Sequence, residues 1–465
     1  MVDEKANREK RRAQRRDLDR RMFARLSDKA IANGGIDQAK FAQYGVKRGL
    51  RNEDGSGVLV GLTKISTVIG YEMIDADLTP MEGRLEYRGH DVSTLVDNYG
   101  EEDRFGFAEV SYLLLFGELP KKAKLVEFEK TLARCRRLPR NFNRDVLMTF
   151  RTKDLMNMLA RSVLALYSFD PDPDDTSVKN VVRQAMHLIA KFPVIVAYSH
   201  AAIRQAYYGD TLVIHPPRRD LSDAENFLYM MRHDGKFTKE EARALDIALL
   251  LHADHGGGNN STFTTRCVSS SGTDTYSAIA AGIGSLKGPL HGGANKSVMD
   301  MLANIRGHVR NPLDKDKLAA YIKSLIKKEA GDGSGKIYGF GHAVYTLSDP
   351  RAIILKEYSR TLIKDKKMER RLKVLELMEE IVPEVFAKVK RSEKVISANV
   401  DFYSGFVYET LGIPPVVYTP IFAMARIPGW MAHRIEELIV TGRIIRPACK
   451  SVAKPARYVP LDKRK

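Results

Sequence analysis

A chain of 465 residues, 44% of them hydrophobic, can bury a large core and has room for one big domain and a smaller one. No run of 18 apolar residues occurs, which argues against a membrane span. The three scattered cysteines, Cys135, Cys267 and Cys449, form neither a zinc spacing nor a disulfide framework.

The formal charge of +17 is unevenly placed. The first 30 residues carry 11 Lys/Arg against 6 Asp/Glu, and residues 443–465 carry 8 against 1, so the two ends supply 12 of the 17 charges. That distribution argues for basic tails on an ordinary globular body and against a chain-wide nucleic-acid surface; an anionic substrate is equally compatible. The start has no signal-like apolar stretch, and its acids (Asp3, Glu4, Glu9, Asp17, Asp19) argue against a mitochondrial presequence, so a cytoplasmic protein is expected.

In chain order, residues 5–30 read as a charged helix with thin apolar content, Met22, Phe23 and Leu26. A solvated arm is the simpler reading, with nucleic-acid or membrane contact as the alternative. Glycine-rich loops at Gly34-Gly35 and at Asp54-Gly55-Ser56-Gly57 set it off from the body. Extended segments are expected at 58–69 and 85–91. From there helical periodicity dominates: 107–117 (ended by Gly117, with Pro120 beyond), 123–136, 142–166, 176–207, 222–233, 238–255, 261–271, 275–287, 294–306, 314–328, 350–363, 366–390, 402–411 and 420–440. Ser222 with Glu225 and Thr238 with Glu241 are capping boxes. The expected fold class is all-α with minor β structure near the N-terminus.

Residues 252–295 hold two histidine-bearing turns. The helix at 238–255 is apolar around most of its circumference and is expected to stop at Gly256-Gly257-Gly258. His255 would then meet unpaired carbonyls at the negative end of the helix dipole, which favours its cation. His291 follows Gly288-Pro289 and precedes the helix at 294–306, where an imidazole is pushed towards its neutral form. One histidine could hold an anion and the other donate a neutral hydrogen bond; both could equally be helix caps. The Ala/Gly-rich helix at 275–287 suits a core or a subunit interface. Its Gly282-Ile283-Gly284 lacks the third glycine and the preceding strand of a dinucleotide site. His252 and His255 share a helix face with Asp254 nearby, but no third ligand and no HExxH accompanies them, so no metal is expected.

Further on, residues 336–345 form a glycine-spaced loop with aromatic residues, able to offer backbone groups and flat faces to a purine. Arg351 falls in a first helical turn behind Asp349-Pro350, where the dipole disfavours a cation, so it should have an anionic partner. Asp401 opens a helix and could be no more than an N-cap. Arg426 lies in the mostly apolar run 422–427, and a buried arginine needs a carboxylate or phosphate. Arg446 sits in the basic tail and says nothing alone.

Taken together, these motifs resemble the citrate synthase family over about residues 64–450. The matching runs are Leu85-Glu86-Tyr87-Arg88-Gly89-His90-Asp91, Tyr112 to Pro120, Ala253-Asp254-His255, Gly288-Pro289-Leu290-His291-Gly292-Gly293-Ala294-Asn295, Gly339-Phe340-Gly341-His342, Asp349-Pro350-Arg351 and Asn399 to Gly405, in the family's order and spacing. The resemblance implies a large helical domain (58–292 and 413–465), a small one (293–412) and a charged extension (1–57). It implies condensation of acetyl-CoA with oxaloacetate to citrate and CoA, through an enolate and hydrolysis of citryl-CoA, without a cofactor. By the same resemblance Asp401 is the base, His291 donates to the thioester oxygen and His342 to the oxaloacetate carbonyl. Ser261 orients His291. His255, Arg351, Arg426 and Arg446 hold the two carboxylates, Arg446 reaching over from the other subunit of a homodimer, and Ile337, Gly339, Phe340 and Gly341 face CoA.

Two departures stand out. Many members carry basic residues just after the histidine matched by His342, where this chain has Ala343 and Thr346, and the first 60 residues or so have no counterpart in shorter members. The nearest rival activity is that of 2-methylcitrate synthase, which uses propionyl-CoA. A rival of another class, a non-catalytic basic protein binding nucleic acid or membrane through its ends, predicts a degraded site.

Overall fold

The computed structural model describes residues 2–52, 56–74, 77–391, 395–440 and 442–464; Asp54 and Gly55 of the predicted glycine-rich loop lie outside the described residues. The chain divides into two compact units, Met1–Val60 and Gly61–Lys465. In the first, helix α1 (Val2–Gly34) runs beyond both ends of the predicted arm. Leu18, Phe23 and Leu26 are exposed on it, as befits a stretch too poor in apolar residues to bury a face. Helix α2 (Gln38–Gln43) follows, capped by the Asp37 carboxylate, which accepts from the Ala39 N–H.

The second unit begins with an antiparallel sheet, β1 (Ser66–Ile74), β2 (Asp77–Tyr87) and β3 (His90–Asp91), in the order β1-β2-β3. It joins the two predicted extended segments through residues that sequence periodicity missed, because Gly70, Pro80 and Gly83 interrupt the alternation. A Cβ on Gly70 would lie 2.5 Å from the Val344 carbonyl oxygen, and one on Gly83 would strike that of Ser348. The two glycines let the hairpin lie directly against the segment that follows His342.

Helix α3 (Val92–Glu101), absent from the sequence reading, is started by Asp91, whose carboxylate accepts from the N–H groups of Ser93 and Thr94. Next come α4 (Phe107–Phe116), stopped by Gly117 at φ 87°, and α5 (Lys122–Cys135). The single helix expected at 142–166 is two elements, a π-helical turn over Asn143–Met148 and α6 (Leu155–Tyr167). The break arises because Asp154 caps the second piece, accepting from the Asn157 N–H at 3.0 Å.

Helix α7 (Val178–Tyr208) is long and apolar enough to cross a membrane, but 89% of its most apolar window is buried inside the protein, which makes it a core helix. The two capping boxes form as expected, at the starts of α8 (Asp223–Met231) and α9 (Lys239–His252). The remaining helices are α10 (Asn260–Ser269), α11 (Thr275–Lys287), α12 (Ala294–His308), α13 (Lys315–Ile326), α14 (Pro350–Thr361), α15 (Lys366–Lys390), α16 (Val400–Thr410) and α17 (Tyr418–Val440). The all-α expectation is met, with β structure confined to the one small sheet among the described residues.

Helix α17 is the hub, packed on α4, α7, α9, α10 and α11 around a fully buried Trp430. The small residues of α11 bring it close to α10: a Cβ on Gly282 would sit 2.5 Å from Thr265 Oγ1 and 3.5 Å from the Ser261 carbonyl oxygen. Gly282→Val should therefore cost about 1–3 kcal/mol by overpacking. Chemical denaturation checks this, and a midpoint equal to wild type would show that the helices have room to part. Helix α16 packs on α12 and α14, and both α14 and α16 touch α9. That meeting of α9, α14, α16 and α17 frames the site.

Candidate active site

Helix α9 ends at His252, earlier than the glycines predicted, and Ala253 is its C-cap. The chain is then gripped by Asp254. Its buried Oδ2 accepts from His433 Nε2 at 3.1 Å, from the Gly256 N–H at 3.0 Å and from the Ser66 hydroxyl. The Tyr87 hydroxyl ties the same turn by donating to the carbonyls of Leu250 and Asp254. Gly256 supplies the positive φ of 82° that turns the chain away.

His255 thus projects from an anchored turn into the interior, 9% exposed, and its Nε2 has no hydrogen-bond partner among the described residues. Its ring meets that of His342 edge to face, with centroids 5.1 Å apart. The expectation of a cationic His255 is corrected. Burial, and then the guanidinium of Arg351, hold its pKa well below the ordinary value, outweighing the dipole of a helix that stopped three residues earlier.

Arg426, on α17, has no exposed surface. Its Nε donates to the His252 carbonyl at 2.6 Å, while Nη1 and Nη2 are buried with no partner among the described residues. Burial lowers its pKa to about 10. The carboxylate or phosphate expected beside it is supplied by no side chain bonded to those two nitrogens. Arg351 is different. The Asp349 carboxylate holds it in two parallel bonds, Nε to Oδ1 at 3.0 Å and Nη2 to Oδ2 at 2.8 Å. The partner predicted for this misplaced cation is therefore the N-cap of its own helix, which accepts the Arg351 N–H as well. Asp349 Oδ2 also accepts from the Val400 N–H at 3.1 Å, so one carboxylate joins the start of α14 to the start of α16.

Asp401 lies in the first turn of α16. The N-cap is Asn399, whose side chain accepts the Asp401 N–H, so Asp401 is free of the capping duty that sequence alone allowed it. Burial pushes its carboxyl pKa up to about 6, against the opposing pull of Arg351. The glycine-spaced loop lies alongside: Phe340 pairs with Ala398 in an isolated bridge, and Asn399 Nδ2 donates to the Gly341 carbonyl at 2.9 Å. Gly339, at φ 83°, leaves no room for a Cβ, which would lie 2.8 Å from the Phe402 ring. Phe340 rests 4.7 Å from Phe402, centroid to centroid, and Ile337 is 7% exposed. His342 Nδ1 accepts from the N–H groups of Val344 and Tyr345, both at 3.0 Å, which places its proton on Nε2.

His291 stands just ahead of α12. Its Nε2 accepts the Ser261 N–H at 3.3 Å and lies 3.0 Å from Ser261 Oγ, which in turn accepts from Trp430 Nε1 at 3.2 Å. An accepting Nε2 puts the proton on Nδ1. The pKa is lowered to about 4, first by burial and then by Arg426. The neutral state expected of His291 holds, with burial rather than the helix terminus as the leading cause.

The structure thus gathers His255, Arg351, His342, Arg426, Asp401 and the Ser261–His291 pair around the ends of α9, α14 and α16. Arg446 is not among them within this chain: it is exposed on the extended segment after α17, where Ile445 N–H donates to Ser270 Oγ at 3.0 Å. Three participants went unassigned in the sequence reading: Asp349, Tyr345 and Phe422. Tyr345 stacks on His342 at 4.6 Å, and Phe422 lies 4.7 Å under the Arg426 guanidinium. Only Asp349 had a usable signal, as the N-cap before a first-turn proline.

Chemically, the buried unpaired N–H groups of Arg426, beside Arg351 and the unpartnered Nε2 of His255, make a receptor for a small anion. A neutral imidazole N–H and a carboxyl of raised pKa are suited to removing a proton from carbon while stabilising the oxygen that gains charge.

Comparison with known proteins places the chain in a family. The family model for the C-terminal domain of citrate synthase matches residues 53–448. The chain is 38% identical to the citrate synthase of Deinococcus radiodurans over 359 residues, covering 77% of this chain and 88% of that one. It is 31% identical to the 2-methylcitrate synthase of Shewanella oneidensis, covering 82% and 92%. Among solved structures, the ternary complex of citrate synthase from the thermophilic archaeon Thermoplasma acidophilum with carboxymethyl coenzyme A and oxaloacetate superposes with a TM-score of 0.73, at 26% identity, over 90% of this chain and 99% of that one.

Proposed function

The chain belongs to the citrate synthase family of acyl-transferring enzymes, and from that premise we propose that it condenses acetyl-CoA with oxaloacetate at the site just described. The observation that carries the reading is the set of buried nitrogens without partners among the described residues, Nη1 and Nη2 of Arg426 and Nε2 of His255, placed beside neutral His291 and a half-buried Asp401.

In this reading Arg426, Arg351 and His255 bind the carboxylates of oxaloacetate, each charge-assisted bond contributing about 1.5–3 kcal/mol. Asp401 takes a proton from the acetyl methyl group, and His291 Nδ1–H donates to the thioester oxygen as negative charge moves onto it. The enolate carbon attacks the ketone carbon, forming the new C–C bond, while His342 Nε2–H donates to the carbonyl oxygen as it becomes alkoxide. Water then cleaves the citryl thioester, releasing CoA thiol and citrate. Every one of these groups belongs to the chain itself, so no cofactor is called for. The loop Ile337–Gly341 offers its backbone to CoA, supported by the positive φ of Gly339 and Gly341.

Residues 293–412 are proposed as a small domain that closes on the rest, which is supported by the ring contact between His255 on one side and His342 on the other. The compartment is proposed to be the cytoplasm, in keeping with three unpaired cysteines. The non-catalytic alternative predicts a degraded site, and the presence of His291, His342, Asp401, Arg351 and Arg426 together speaks for the enzyme reading.

Arg446 is proposed to complete the carboxylate set of a partner subunit in a homodimer. Its exposure and its place on an extended segment suit that reach. Arg446→Ala and Asp401→Asn should each be nearly inactive alone, and co-refolded they should recover activity, because a mixed dimer restores one complete site. Absence of recovery in a verified mixed dimer would place Arg446 outside the site.

The acyl group is the remaining choice. An extra methylene is worth about 1–3 kcal/mol in a pocket, and relatives of both kinds match the chain. Product analysis with oxaloacetate and either acetyl-CoA or propionyl-CoA decides it. Citrate formed in preference supports the proposal, 2-methylcitrate formed in preference moves the assignment to the rival, and neither product from folded protein defeats the enzyme reading.

A further inference from the structure

Away from the catalytic groups, α12, α15 and α16 line a solvent-open pocket of about 210 Å³. Its apolar wall comes from Met299 and Leu302 on α12, Val374 and Leu375 on α15 and Phe406 on α16, all under 9% exposed. Its rim is basic, with Arg306, Lys367, Arg370 and Arg371 around one carboxylate, Glu409. That carboxylate is already engaged by Arg371 Nη1 at 2.6 Å. Among the described residues Arg370 Nη2 reaches the neutral Asn311 side chain, at 3.1 Å. Arg306 is held below its usual pKa first by burial and then by the Arg371 charge, against the opposing pull of Glu409.

Charge and shape together specify the occupant. Four cations against one spent carboxylate call for an anion, and an apolar wall calls for a hydrocarbon body. At ~30 Å³ per water the space equals about seven waters, enough for a chain or ring of roughly six to eight carbons. We propose that this cavity binds a small amphiphilic carboxylate, its head on Lys367, Arg370 and Arg306 and its body on Met299, Leu302 and Phe406, and that its occupancy acts on Asp401 through α16.

The coupling follows from the helices. Phe406 lies five residues beyond Asp401 on α16, about 7.5 Å along the axis. Met299 lies one turn into α12, the helix that follows His291. The two helices interlock at Gly405, where a Cβ would sit 2.8 Å from Met299 Sδ and 2.9 Å from Asn295 Oδ1. A body wedged between Met299 and Phe406 bears on the joint that sets one helix against the other. The coupling rests on the proposed role of Asp401; the binding does not.

Titration calorimetry with octanoate as the probe, and octanol and octylammonium as controls, tests binding apart from activity. The variant is Lys367→Glu with Arg370→Glu, both exposed positions. Wild type should bind octanoate saturably and the variant about tenfold more weakly or worse, with neither control binding. No saturable octanoate binding, equal binding by the variant, or equal binding of octylammonium overturns the site. In steady-state assays octanoate should change the kcat of wild type and leave that of the variant unmoved. An unchanged kcat under saturating octanoate, or the same effect in the variant, overturns the coupling.

Discussion

Replacing Asp401 by Asn is expected to lower kcat by about 10²–10⁴-fold, the range that positioned acid–base groups contribute, with little change in oxaloacetate affinity. The amide keeps the volume and the neighbours of the carboxyl, and the helix keeps its cap on Asn399. Only the capacity to accept a proton is lost. The pH dependence carries the same signature. With the Asp401 pKa raised to about 6 by burial, the base is ionised above that value, so the wild-type rate should rise as pH passes upward through about 6. The residual rate of the variant should lack that limb.

Stability should move the other way. A carboxyl whose folded pKa lies above its unfolded value favours the fold at low pH, and that contribution is lost as pH rises through the folded pKa. Above pH 6, therefore, Asp401→Asn should be at least as heat-stable as wild type. A variant that loses activity by unfolding would reverse this order and remove the catalytic assignment.

Arg426→Met should abolish useful oxaloacetate binding. Two charge-assisted donors at about 1.5–3 kcal/mol each correspond to a loss of about 10²–10⁴-fold in affinity. The same change removes a buried cation whose Nη1 and Nη2 are unpaired and replaces it with an apolar side chain of adaptable shape. Against that gain stand two costs, the His252 carbonyl left without its 2.6 Å donor, about 1–3 kcal/mol, and the lost contact of the guanidinium with the Phe422 ring. Thermal unfolding should accordingly show the variant close to wild type or above it, while calorimetry shows oxaloacetate affinity gone. Such a residue is retained for binding at the expense of the fold. A sharply lowered melting temperature would instead make Arg426 a structural residue.

Most of this arrangement was legible in the sequence where local rules govern. The capping boxes of α8 and α9, the glycine stop of α4 and the close packing of α11 follow from residues within one or two turns of each other. The helix break at Asp154 was missed because its cap looks, from the apolar pattern alone, like one polar residue in a continuous helix. The hairpin over β1 and β2 was half seen, since its glycines answer to the segment at 344–348, nearly three hundred residues away. His255 shows the limit most clearly. Its dipole environment could be read locally, but its protonation is decided by burial, with His342 and Tyr345 against the ring, and by the Arg351 charge from α14. Likewise the tautomers of His291 and His342 are set by N–H groups of Ser261, Val344 and Tyr345, and the first of these lies thirty residues from the ring it orients.

The central claim is that Asp401 and His291 enolise a thioester once a dicarboxylate occupies Arg426, Arg351 and His255. Deuterium exchange from heavy water into the methyl group of acetyl-CoA, followed by NMR, tests it most directly. The dicarboxylate added is (S)-malate, which has no ketone to be attacked, so that enolisation is seen without condensation. Wild type should exchange the methyl protons only when the dicarboxylate is present, and Asp401→Asn should not exchange them. Exchange in Asp401→Asn at the wild-type rate, or none in folded wild type saturated with malate, would contradict the account.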